Sequence, residues 1–171
     1  MFKLTSIAGA FLLLTACVSY AQAQSETQIN GVVQSRCIIQ TDISGTYGNP
    51  NAYTLTTASA DGGEDPVVRV DVSLANAYYV NITAPDAFSS SPSLPDVVTW
   101  SGDTTVKTVS DATTMGTYET NKVELGMTDR YDMTAIGSTW FQTTSLAIMG
   151  GSKAFPGGNY TALVVAECIA Q

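Results

Sequence analysis

The chain has 171 residues, with 15 acidic against 7 basic side chains, a formal net charge of −8 and no histidine. Such a charge repels phosphate backbones and anionic lipid surfaces, and no Lys/Arg cluster offsets it, so nucleic acid is excluded as a partner. The absence of histidine removes the commonest proton shuttle, the commonest zinc ligand, and the Ser-His-Asp and Cys-His arrangements.

The opening Met1-Phe2-Lys3, the apolar run Leu4 to Ala16 and the small-residue site Ala21-Gln22-Ala23 predict a secretory signal peptide over residues 1–23. Its removal takes away Lys3 and no acid, so the formal charge moves from −8 to −9, and 148 residues remain, enough for one domain. Leu14-Thr15-Ala16-Cys17 also fits the pattern at which bacterial lipoproteins are cleaved and acylated. Acylation of Cys17 is therefore the alternative to cleavage after Ala23.

The first structured segment is Gln28 to Gln40, in which Ile29, Gly31, Val33, Ser35, Cys37 and Ile39 share one face of a strand. It has two destinations: the first strand of its own sandwich, or, over residues 24–36, an arm that completes another chain by strand addition. Cys168, in the strand-like run Asn159 to Ile169, is the only other cysteine beyond the leader. An exported chain keeps two thiols where they pair. We therefore expect a Cys37–Cys168 disulfide, with Cα atoms about 4.4–6.8 Å apart.

Thr41 to Asn51 is rich in turn formers and reads as a loop. Tyr53 to Thr57 is a short strand. The acidic turn Asp61-Gly62-Gly63-Glu64-Asp65-Pro66 lacks EF-hand spacing and reads as solvated rather than calcium-binding. Val67 to Leu74 alternates, with Val68, Val70, Val72 and Leu74 inward, and Tyr78, Val80 and Ile82 continue the pattern as the second half of a hairpin. Asp86 to Pro95 is a surface loop. Val97 to Trp100 and Thr104 to Val109 form a second hairpin around Ser101-Gly102-Asp103. Lys122 to Met127 places Val123, Leu125 and Met127 inward, Thr128 to Ser138 is irregular, and Trp140 to Met149 contains a strand. Gly150-Gly151 and Phe155-Pro156-Gly157-Gly158 then turn the chain into its last strand.

No segment beyond the leader sustains helical spacing of apolar residues. The fold class is all-β: an immunoglobulin-like antiparallel β-sandwich over residues 37–171, either self-complete or completed by a donor strand. No P-loop or dinucleotide fingerprint is present, and the scattered acids nominate no catalytic pair. The expectation is a non-enzyme with no cofactor and no metal. Trp100, Trp140, Phe141 and Tyr131 have the side chains of a sugar-binding surface, but burial in the core explains Trp100 more simply. The acceptor patterns Asn81-Ile82-Thr83 and Asn159-Tyr160-Thr161 each fall in a predicted strand and read as chance.

The short leader, the arm Ile29 to Val33, the segment Val97-Val98-Thr99-Trp100-Ser101-Gly102, and above all the ending Phe155 to Val165 with its Gly158-Asn159-Tyr160 turn resemble chaperone–usher pilins. The similarity is nearest to the alpha class, of colonisation-factor type. The resemblance implies a sandwich lacking its last strand, held by a periplasmic chaperone, passed to an outer-membrane usher, and completed by the arm of a neighbouring copy or another pilin. Thr27, Ile29, Gly31 and Val33 would enter the neighbour's groove, and Tyr160, Ala162, Val164 and Ala166 would flank it. The product would be an extracellular pilus serving adhesion or biofilm formation. The runner-up, motivated by Cys17, is an outer-membrane or periplasmic lipoprotein acting as a ligand-binding or adhesin module.

Overall fold

A computed structural model describes residues 36–171. The leader, Cys17 and the arm residues Thr27, Ile29, Gly31 and Val33 lie outside the described residues. The strands are β1 (Cys37–Ile43), β2 (Gly48–Asn51), β3 (Thr54–Thr56), β4 (Val67–Val72), β5 (Tyr78–Thr83), β6 (Phe88–Ser90), β7 (Val98–Val109), β8 (Val123–Leu125), β9 (Thr128–Asp132), β10 (Gly137–Met149), β11 (Thr161–Ala162) and β12 (Val165–Ala170), with one short helix, α1 (Ala112–Met115). The expectation of an all-β, antiparallel fold holds.

The long strand β10 organises one sheet. Along one edge it pairs β7 over nearly its whole length, and along the other it pairs first β4 and then β3. β1 lies outside β4, and β2 outside β3. The second sheet runs β12-β5-β9-β8, and β11 pairs β6 as a separate ribbon. Between the two sheets sit Val68, Val70 and Val72 of β4, Val80 and Ile82 of β5, Tyr131 of β9 and Phe141 of β10, all buried in one apolar cluster. Met115, at the end of α1, and Tyr118 close the side of this core. Asp111 caps α1, accepting a 2.9 Å bond from the Thr113 N–H.

β4 and β5 were expected to form a hairpin, but they belong to opposite sheets. Both alternate because each buries one face, and period two cannot tell a partner in the same sheet from one across the core. Asn76, with φ of 58°, turns the chain between the sheets, and Leu74 falls beyond β4 and is exposed. The expected hairpin at Ser101-Gly102-Asp103 is instead one unbroken strand, β7. Gly102 pairs Ser145 of β10, and a Cβ there would come within 2.6 Å of the Ala84 Cβ and 2.7 Å of the Thr144 carbonyl. This glycine permits a close approach rather than a turn.

Three further expectations are corrected. The loop Thr41 to Asn51 contains the end of β1 and the whole of β2. Residues 128–138, expected to be irregular, contain β9, whose alternation was hidden because Asp129 occupies a buried position beside Tyr131. β8 has no inward face: Val123, Glu124 and Leu125 are all exposed, and it is Lys122, just before the strand, whose side chain is only 12% exposed. β8 is an edge strand beyond the apolar core, so the alternation of Val123 and Leu125 does not mark a buried face.

Trp100 is half-buried outside the main core, packed edge-on to Phe88 at 4.6 Å between centroids. Trp140 is half-buried on the outer face with Arg69 over its ring. Asn81 lies on β5 as expected, but Asn159 lies in the exposed turn before β11 and not in a strand.

Candidate functional site: an apolar cleft beside the last strand

The last strand, β12, pairs β5 and is an edge of its sheet. The first, β1, pairs β4 and is an edge of the other. The two edge strands therefore face each other across one side of the sandwich, and they run in opposite directions. Cys37 sits opposite Val72 and Cys168 opposite Val80, so both cysteines lie at the end where β4 passes into β5. There they are joined by the expected disulfide, with a Cα separation of 6.3 Å. The bridge spans 131 residues, and closing a loop of that size in the unfolded chain stabilises the fold by about 5 kcal/mol on the loop-entropy model.

Away from the bridge the strands diverge. Between them opens a cavity of about 310 Å³ lined by Thr41 and Ile43 of β1, the following residues 44–47, Val68, Pro85, and Thr161 to Val164. The inward side chains of the two edges, Ile39 on β1, Ala166 on β12 and Val164 just before it, are only partly buried and pack on the core cluster. The cleft is thus apolar on its floor and bounded by unpaired strand edges. Two unsatisfied rows of N–H and C=O groups beside exposed apolar surface are a template for a further strand.

Both lips of the open end are separately held. On one lip, Thr46 and Glu64 exchange backbone hydrogen bonds of 2.9 Å, and the Tyr47 and Ser145 hydroxyls share one of 2.8 Å. Burial raises the Tyr47 pKa, an effect the Ser145 bond opposes, so the phenol stays neutral. On the other lip, Phe88 gathers Trp100, Tyr160 and Phe155 with ring centroids 4.6, 5.0 and 6.0 Å away, and the Tyr160 hydroxyl donates to the Pro156 carbonyl at 2.6 Å. This aromatic cluster fixes the β6–β11 ribbon, and with it Ala162.

Of the four residues expected to flank a groove, Ala162 and Val164 line the cavity, Ala166 continues its floor towards the bridge, and Tyr160 lines an adjoining space of about 440 Å³ with Gly45, Thr46 and Ala162. They are not on one unbroken strand: the chain leaves β-pairing at Leu163 and Val164, between β11 and β12. Sequence reasoning missed the lip formed by Ile43 to Tyr47. Its signal was the continuation of Cys37 and Ile39 to Ile43 on the inward face, obscured by Asp42, Ser44 and Gly45.

A second cluster lies on the opposite side of the sandwich. The carboxylates of Asp103, Glu124 and Asp129 converge, and the Lys122 ammonium stands among them, 2.6 Å from Asp103 and 3.5 Å from Glu124. Burial would lower the Lys122 pKa, but the bond it donates to Asp103 and the charges of Asp129, Asp103 and Glu119 outweigh it and raise it. Asp129 is buried, which raises its pKa despite a 2.7 Å bond accepted from the Thr104 N–H. The Tyr131 hydroxyl donates to the Thr104 carbonyl at 2.5 Å. Lysine already supplies the positive charge here, and the arrangement works as a polar lock between β7, β8 and β9. In the acidic turn, both Asp65 oxygens are taken, by the Thr57 hydroxyl and by Gln142.

No helix among the described residues is long and apolar enough to cross a membrane. The chain matches no protein-family model, no curated protein and no solved structure.

Proposed function

We propose that this chain is a structural subunit of a bacterial surface pilus, assembled by donor-strand exchange with neighbouring copies or other pilins and delivered by a periplasmic chaperone and an outer-membrane usher. The observation that carries this reading is the apolar cavity between β1 and the residues leading into β12, on the side of the sandwich where both strands are unpaired sheet edges. A sandwich with two unpaired sheet edges on one side and an apolar cavity between them has room for one more strand. The alternating arm Thr27 to Val33 has the pattern to supply it. A core completed in this way resists dissociation, because main-chain pairing and apolar burial act together. The disulfide fits passage through an oxidising compartment.

Deleting Glu26 to Gln34 is expected to leave a folded, chaperone-bound monomer that forms no filaments, as read by electron microscopy of cells and by size-exclusion of periplasmic extracts. Normal filaments from the deletion would overturn the proposal.

A further inference from the structure

The side of the sandwich opposite the cleft is bounded by β7 and β8. β7 pairs β10 along one edge, and no described strand covers the other. Its 12 residues make it the longest edge strand among the described residues, against 7 for β1 and 6 for β12. A long unpaired edge rich in Thr and Val is the template a further strand takes most readily. By length alone β7 would compete with the cleft for any strand on offer.

The main-chain groups that β7 turns away from β10 are nevertheless occupied, by side chains. The Thr104 N–H donates to Asp129 Oδ2 at 2.7 Å, and the Val106 N–H to Glu119 Oε2 at 2.6 Å. The Thr104 carbonyl accepts from the Tyr131 hydroxyl at 2.5 Å and from Lys122 Nζ at 3.2 Å. Three of these four bonds use a carboxylate or an ammonium, which makes them stronger than bonds between neutral groups. One residue further on, Lys107 has no partner on β10, because Trp140 pairs Thr108 and Phe141 pairs Val106. This bulge breaks the edge, and an exposed lysine stands on it. The edge is therefore closed from Thr104 to Lys107. By contrast, among the described residues no side chain bonds the backbone of β1 or β12.

Glu119 and Lys122 come from the connection between β7 and β8, which crosses from one sheet to the other. Met115 and Tyr118 anchor that connection in the core, and the Tyr118 hydroxyl accepts from the Ala135 N–H at 3.0 Å. Lys122 Nζ lies 2.6 Å from Asp103, 3.6 Å from Glu119 and 3.5 Å from Glu124, so it ties β7, β8 and their connection together. Four carboxylates around one ammonium leave the patch negative, and a second copy of a chain whose charge is −8 is repelled by it. An incoming strand would also set its carbonyls against carboxylates, acceptor against acceptor. We infer that the Glu119 and Asp129 carboxylates, held by Lys122, seal the free edge of β7 against strand addition, and that the partner this edge takes when unsealed is a second copy pairing edge to edge. The seal does not depend on what fills the cleft.

The test compares the full exported chain with its Glu119→Ala and Glu119→Ala/Asp129→Ala variants, each checked for an intact disulfide by thiol labelling. Amide exchange resolved by residue, at low and high protein concentration, is read beside sedimentation velocity. In the native chain the Thr104 and Val106 amides are expected to exchange slowly, with no protection added over residues 98–109 as concentration rises. In Glu119→Ala the Val106 amide is expected to exchange about 10-fold faster. In the double variant, sedimentation is expected to show dimers or larger species, and residues 98–109 to gain protection with concentration. A folded double variant that gains none there overturns the inference, and so does association of the native chain through those residues. If the double variant does not fold, the native chain decides: Thr104 and Val106 amides that exchange as fast as unbonded surface amides overturn the seal. A chain that forms no pili would overturn the assembly reading and leave this one in place.

Discussion

Asp129 is a buried carboxylate on an inward position of β9, and it is ionised only at a cost. Its pKa is raised mainly by burial, with the Thr104 amide and Lys122 pulling the other way. A carboxyl whose folded pKa lies above its unfolded value contributes stability that is full below the unfolded pKa and is lost as pH rises through the folded one. The Asp129→Asn variant lacks this titration. The unfolding free energy of the native chain relative to the variant is therefore expected to fall as pH rises from about 4, the ordinary aspartate value, through the raised pKa, and to level off above it. Urea midpoints of both proteins across that window check the sign. Parallel curves would show that Asp129 keeps an ordinary pKa. The same residue explains why β9 was hidden in the sequence: an aspartate next to Tyr131 breaks the apolar alternation by which strands are recognised.

At the scale of elements, what was legible followed from burial and what was missed followed from pairing. β1, β4, β5 and the end of the chain were readable because Ile39, Val68, Val70, Val72, Val80 and Ile82 alternate towards one core. Which strand pairs which was not readable, since alternation gives a face and not a partner, and so β4 and β5 were joined in one sheet when they lie in two. The cleft was half legible. Tyr160, Ala162, Val164 and Ala166 were named from the resemblance of the chain's ending to pilins, and of these Ala162 and Val164 line the cavity, but the opposing lip from Ile43 to Tyr47 is written in turn-forming residues. Gly102 shows the same ambiguity, because glycine marks both turns and close packing. At this position the two meanings predict different outcomes. Gly102→Ala brings a Cβ within 2.7 Å of the Thr144 carbonyl, and that oxygen belongs to the backbone of β10. The neighbour cannot rotate away, so the substitution is expected to destabilise the protein by about 1–3 kcal/mol. A denaturant midpoint unchanged from that of the native chain would mean that β7 and β10 separate there at little cost.

At the scale of the whole molecule, the first and last strands among the described residues meet across one side of the sandwich. The first and last strands are both sheet edges, a disulfide joins them at one end, and an apolar cavity separates them at the other. Exposed edges with apolar floors invite association, and proteins that keep them usually cover them. We propose that the cover is the arm of the next copy. The most direct measurement is cross-linking between two differently marked populations. One carries Val33→Cys with a mass label, the other Leu163→Cys, a position that borders the cavity and is 61% exposed. Each keeps its native bridge, and the two are mixed during assembly before mild oxidation. The account predicts a mixed disulfide dimer, one copy of each population, identified by mass and by a peptide joining residues 33 and 163. Absence of that peptide in assemblies that have demonstrably formed from both populations would contradict it.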